Sequence, residues 1–95
     1  MTSAGDREQR HIHFTGRVQG VGFRYTVRQI AAGMDVVGYV RNLADGRVEL
    51  KVEGPPAEID RLVRETTDHF GGYITQTKQD RREATGEFRS FEVRY

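Results

Sequence analysis

The chain of 95 residues has no cysteine and only two prolines, which stand side by side at positions 55 and 56. Without cysteine there is no disulfide, no thiolate metal site and no phosphocysteine intermediate, so the thiol route of phosphatase chemistry is excluded. No apolar run approaches the roughly 20 residues that a bilayer-spanning helix needs. The first ten residues are polar and charged and lack the apolar stretch of a secretory signal. A cytoplasmic location is therefore expected, with residues 1–9 as a disordered leader. An excess of one charge sign is missing too: 15 Lys+Arg against 14 Asp+Glu leave a net charge of +1. That is not the broad basic footprint of a nucleic-acid binder.

What is present fits one globular domain over residues 10–95, with 36% hydrophobic and 31% charged residues. Of the basic residues only Lys51 and Lys78 are lysines. Guanidinium forks suit phosphate or carboxylate better than a point charge does, although arginine preference in a GC-rich genome gives the same bias.

Residues 11–18 alternate, with Ile12, Phe14 and Val18 on one face, as a half-buried strand does. Phe23, Val27, Ile30, Ala31 and Met34 recur at helical spacing, with Gly33 placed as a C-terminal cap. Residues 36–43 and 47–53 predict two more strands joined by an Asp45-Gly46 turn. In the second of these, Val48, Leu50 and Val52 face the core, and Arg47, Glu49, Lys51 and Glu53 form a solvated face. Gly54-Pro55-Pro56 ends that strand and opens a helix striped by Ile59, Leu62, Val63, Thr66 and Phe70. Gly71-Gly72 ends the helix. Residues 73–81 predict a polar edge strand of undetermined pairing, and residues 88–95 alternate again. The order β-α-β-β-α-β plus a short extra C-terminal strand belongs to the α+β class, with an antiparallel sheet and both helices on one face.

The informative stretch is Gly16-Arg17-Val18-Gln19-Gly20-Val21-Gly22-Phe23-Arg24. A helix start leaves backbone N–H groups without partners, which Ser, Thr, Asp or Asn ordinarily caps. Gly20, Val21, Gly22 and Phe23 carry no capping oxygen. The first turn contains Arg24 and no acid, although a cation at the positive end of the helix dipole costs roughly 0.3–1 kcal/mol. Uncapped amides and a wrongly signed charge make sense together if an anion completes the site in a glycine nest. The alternative is an ordinary glycine-rich connection capped by water. No Gly-Lys-Ser/Thr follows, and the spacing is wrong for a dinucleotide fingerprint. A second stretch, Gly38-Tyr39-Val40-Arg41-Asn42-Leu43-Ala44-Asp45-Gly46, ends a strand on Asn42. Taken alone, that residue reads as a turn former.

Together the two stretches resemble the two signatures of the acylphosphatase family, in the same order and separation. The C-terminal Gly86-Glu87-Phe88 and Phe91-Glu92-Val93-Arg94-Tyr95 also match, so the resemblance spans residues 11–95. It implies a ferredoxin-like fold, no metal and no organic cofactor, and hydrolysis of acyl phosphates. The family's catalytic arginine falls on Arg24 and its catalytic asparagine on Asn42. The phosphate-binding amides fall on Gln19, Gly20, Val21, Gly22 and Phe23, beside Arg24. The implied partners are a small acyl phosphate and inorganic phosphate, as product and competitive inhibitor, with no nucleic acid, no membrane and a monomeric chain. Met34-Asp35, Tyr39 and the polar stretch 69–79 depart from the family pattern without touching the two signatures.

Other combinations carry less. His11 and His13 share a strand face but have no third metal ligand nearby in sequence, so a solvated face is expected. Ser90, His69 and Asp68 have the residue types of a triad but no nucleophile elbow. An RNA-binding sheet would place aromatics in a basic strand, whereas residues 47–53 present Glu and Lys. A non-catalytic phosphate sensor would share the same loop. So would the domain that opens large hydrogenase maturation proteins handling carbamoyl phosphate, against which the short, cysteine-free chain argues.

Overall fold

The computed structural model describes residues 6–95. Its elements are β1 (Glu8–Gly16), α1 (Phe23–Ala31), β2 (Val37–Asn42), β3 (Val48–Gly54), α2 (Pro56–Phe70), β4 (Ile74–Glu83) and β5 (Phe91–Arg94), with a short 3-10 turn, Gly71–Tyr73, between α2 and β4. All five strands lie in one sheet, in the order β4-β1-β3-β2-β5. Both helices cover the same face. Ile12, Phe14, Val40, Val48, Leu50 and Val52 meet Phe23, Val27 and Ala31 of α1 and Ile59, Leu62 and Phe70 of α2 in one core. No described helix is long and apolar enough to cross a membrane.

The expected β-α-β-β-α-β order with its extra strand is found, with one change in direction. β1–β3, β1–β4 and β2–β3 pair antiparallel, whereas β2 and β5 pair parallel. The cause lies in the path of residues 84–90. β4 ends beside the start of β1, with Glu83 opposite Glu8. The chain then crosses along that end of the sheet and reaches the start of β2, where Gly38 N–H donates to the Ser90 carbonyl at 2.9 Å. From there the chain can only run alongside β2 in the same direction. The polar strand of undetermined pairing is β4, at the opposite edge against β1.

Three expectations need correction. Of the leader, residues 1–5 lie outside the described residues, but Glu8 and Gln9 are strand residues and Gln9 is buried. α1 stops at Ala31 with Ala32 as its C-cap rather than Gly33, because the next amides fold back onto the Ile30 and Ala31 carbonyls. The charged face of β3 is not solvated: Glu49 is 6% and Glu53 2% exposed. Each carboxylate has gathered donors from elements distant in sequence. Glu49 receives His11 Nε2 at 2.6 Å and Arg41 Nε at 2.7 Å. Glu53 receives Gln9 Nε2 at 2.7 Å, the Thr85 N–H and hydroxyl each at 2.8 Å, and the Gly86 N–H at 3.0 Å. On the same open face, burial leads the effects that hold the His13 imidazole below its ordinary value. Arg10, only 1% exposed, ties the helix side together through Glu8, Asp60 at 2.6 Å and Gln79 at 3.2 Å.

Glu53 therefore pins the crossing segment that delivers β5. Burial disfavours its charge, but the bonds from Thr85, Gly86 and Gln9 outweigh burial and hold the carboxyl below the usual range. A depressed folded-state value contributes stability above the unfolded carboxylate pKa, and that contribution is lost as pH falls through the folded value. Glu53→Gln should lower unfolding free energy at pH 7 by about 1–3 kcal/mol, since an amide turns one acceptor into a donor facing donors. Urea denaturation should also show the gap to wild type narrowing below about pH 4.3.

Candidate functional site

Two buried side chains fix the ends of the loop between β1 and α1. Val18 is 0% and Phe23 2% exposed, and the Phe23 ring stacks on Phe70 at 4.3 Å. Between these anchors, residues 19–22 stand in solvent. Gly20 and Gly22 adopt φ of 78° and 76°, a left-handed conformation that side chains with a Cβ resist. Gly22 is the N-cap of α1 and supplies no side-chain cap, and the first turn has no acid. Among the described residues, nothing in the protein takes up the N–H groups of Gly20, Val21, Gly22, Phe23 or Arg24. These amides remain at the positive end of the helix dipole, the arrangement that favours an anion.

The side chain of Gln19 points away from this opening. Its Nε2 donates to the Leu43 carbonyl at 2.8 Å and the Arg47 carbonyl at 2.9 Å. Those carbonyls close the base of the β2–β3 hairpin, where Leu43 N–H also donates to Arg47 O at 2.8 Å. One amide thus clamps the loop to the strand end that carries Asn42. Because β1, β2 and β5 run in one direction, the loop, Asn42 and the chain's last residues gather at the same end of the sheet.

There they line a cleft of about 160 Å³, formed by Val18, Gly20, Gly22, Phe23, Arg24, Tyr25, Asn42, Val93 and Tyr95. The volume suits a small anion and is below the roughly 300–1,000 Å³ of sites that enclose larger ligands. Among the described lining residues none is Asp or Glu. Arg24 is half-buried: its Nη1 donates to the Arg94 carbonyl at 3.3 Å, and its guanidinium lies 4.6 Å from the centre of the Tyr95 ring. Among the described residues the bond to Arg94 is its one hydrogen bond, which leaves four of its five N–H donors available. The Oδ1 of Asn42 is buried without a hydrogen-bond partner among the described residues, although buried acceptors are nearly always paired. An acceptor so placed suits a water molecule or another donor entering the cleft.

Of the residues expected from sequence, Gly20, Gly22, Phe23, Arg24 and Asn42 line this one cleft. Val21 is exposed on the loop, and Gln19 contributes a clamp that its sequence position did not signal. The two contacts on Arg24 from Arg94 and Tyr95 were also missed. Only the C-terminal match in the sequence pointed toward them, and the parallel pairing of β5 brings them in.

A family model for acylphosphatase matches residues 10–93. An acylphosphatase of Synechococcus sp. is 39% identical over 89 residues, covering 94% of this chain and 95% of that one. The crystal structure of acylphosphatase from Bacillus subtilis superposes with a TM-score of 0.85 at 32% identity, covering 93% of this chain and 99% of that one. Full-length HypF, in a phosphate- and nucleotide-bound form, matches with a TM-score of 0.81 at 27% identity, and the match covers 94% of this chain but 12% of HypF.

If the cleft holds an anion, sulfate should raise the melting temperature with the logarithm of its concentration above Kd, with about 2.7 kcal/mol of added stability at 100 times its Kd. Arg24→Ala should remove most of that rise in a thermal shift assay. Gln19→Ala should reduce it by loosening the loop from the hairpin.

Proposed function

The chain belongs to the acylphosphatase family, and we propose that the cleft at the start of α1 is where it hydrolyses acyl phosphates. The observation that carries the proposal is a convergence. Gly20, Gly22, Phe23, Arg24 and Asn42 line one small cleft, to which they bring backbone amides and an amide oxygen without partners among the described residues and a guanidinium held by the C-terminal segment.

The chemistry asks for little more. In an acyl phosphate the phosphoryl group is joined to a carboxylate, which departs with the bonding pair and needs no proton, so no general acid is required. Water attacks phosphorus as the bond to the carboxylate oxygen breaks, and its proton passes to phosphate or solvent. The products are a carboxylate and inorganic phosphate. Such a loose displacement depends on positioning and on stabilising charge at the phosphoryl oxygens. The amides of residues 19–23 and Arg24 would hold those oxygens. Asn42 Oδ1 would accept a hydrogen bond from the attacking water and set its line of approach. The chain would act as a monomer, and the cleft leaves the acyl group outside.

Carbamoyl phosphate carries the same bond and would fit the same site. It is kept as a second substrate reading on the chemistry of that bond.

With benzoyl phosphate in EDTA, the wild-type chain should turn over and inorganic phosphate should inhibit competitively. Arg24→Ala should raise KM and lower kcat, since charge-assisted bonds contribute about 1.5–3 kcal/mol each. Asn42→Ala should chiefly lower kcat, by about 10²-fold or more. Binding of phosphate without turnover would mark a sensor instead. Near-wild-type kcat/KM in either variant would remove that residue from the mechanism.

A further inference from the structure

His11 and His13 project from the face of the sheet opposite the helices. In sequence the pair lacks a third donor, and the fold supplies one. Glu49 stands directly across from His13 in the β1–β3 register, and its Oε2 lies 2.6 Å from His11 Nε2. One donor atom from each of the three residues lies within 4.8 Å of the other two. The imidazole rings are 4.6 Å apart, centre to centre. His13 Nδ1 is buried and has no hydrogen-bond partner among the described residues. Arg41 Nε fixes the other oxygen of Glu49 at 2.7 Å, so the carboxylate is oriented from outside the cluster, as ligand carboxylates in metal sites are.

We propose that His11, His13 and Glu49 form a site for one divalent transition-metal ion, with Zn²⁺ the best suited. Two imidazole nitrogens and one carboxylate oxygen are a donor set of open zinc sites, with water in the fourth position. The nitrogen ligands select against Mg²⁺ and Ca²⁺, which prefer all-oxygen shells. Zinc bonds of about 2.0–2.2 Å would spread the His11 and Glu49 donors to roughly 3 Å or more, a small side-chain adjustment. The ion would replace the His11–Glu49 hydrogen bond and give the unpaired His13 nitrogen a partner. Arg41 on Glu49, with Arg47 and Lys78 beside His13, oppose a second positive charge, so binding is moderate rather than permanent. The cluster shares no residue with the anion cleft, and its occupancy stands apart from hydrolysis.

The test is calorimetric titration of the full chain with zinc chloride in metal-stripped, phosphate-free buffer near pH 7.5, followed by NMR of the imidazole resonances. The expected result is one ion per chain, with His11 and His13 resonances shifting and His69 unmoved. His13→Ala and Glu49→Gln should each weaken binding at least tenfold. Absence of saturable binding up to about 1 mM zinc, or a shift confined to His69, overturns the proposal on the wild-type protein alone. Undiminished binding in the folded His11→Ala/His13→Ala variant also overturns it.

Discussion

Backbone N–H groups that nothing among the described residues takes up, gathered beside a guanidinium at the positive end of α1, are the constraint around which the rest of this small fold is arranged. A cap would be the ordinary way to stabilise that helix end. Here stability comes instead from burial on either side of the opening. Val18 and Phe23 are locked into the core, and Phe23 lies against Phe14 and Phe70. Two glycines with positive φ let the backbone between them turn outward. The helix is thus held by its apolar face while its polar end stays available, an arrangement that favours binding over local stability.

A loop of this kind is useful only if its position is defined relative to other groups, and three tertiary contacts define it. Gln19 bonds it to two hairpin carbonyls, which sets its place relative to Asn42. The Arg94 carbonyl and the Tyr95 ring direct Arg24. Glu53, buried under the crossing segment, decides where that C-terminal strand arrives. The open face of the sheet is consequently more than a solvated surface. Its buried carboxylates organise the chain's path and, at Glu49, bring two histidines and a carboxylate together.

Periodicity marked both helices and the inward faces of the strands because apolar spacing follows directly from backbone geometry. It misjudged Glu49 and Glu53, since alternation reports which face a side chain occupies and not what later covers it. The helix-end error at Gly33 has a local origin: the last amides tightened onto i−3 carbonyls, and no glycine was needed. The clamp formed by Gln19 left no trace in the pattern, because its two acceptors are backbone carbonyls more than twenty residues away.

By itself the sequence determined the order of elements, the uncapped and wrongly charged helix start, and the resemblance that put Arg24 and Asn42 forward. These are local facts, set by which residues neighbour one another along the chain. Tertiary structure decided the parallel placement of β5, the convergence of loop, strand end and C-terminus on one cleft, and the burial of charges on the open face. Each depends on contacts between residues far apart in the chain, whose partners exist only once the sheet has closed.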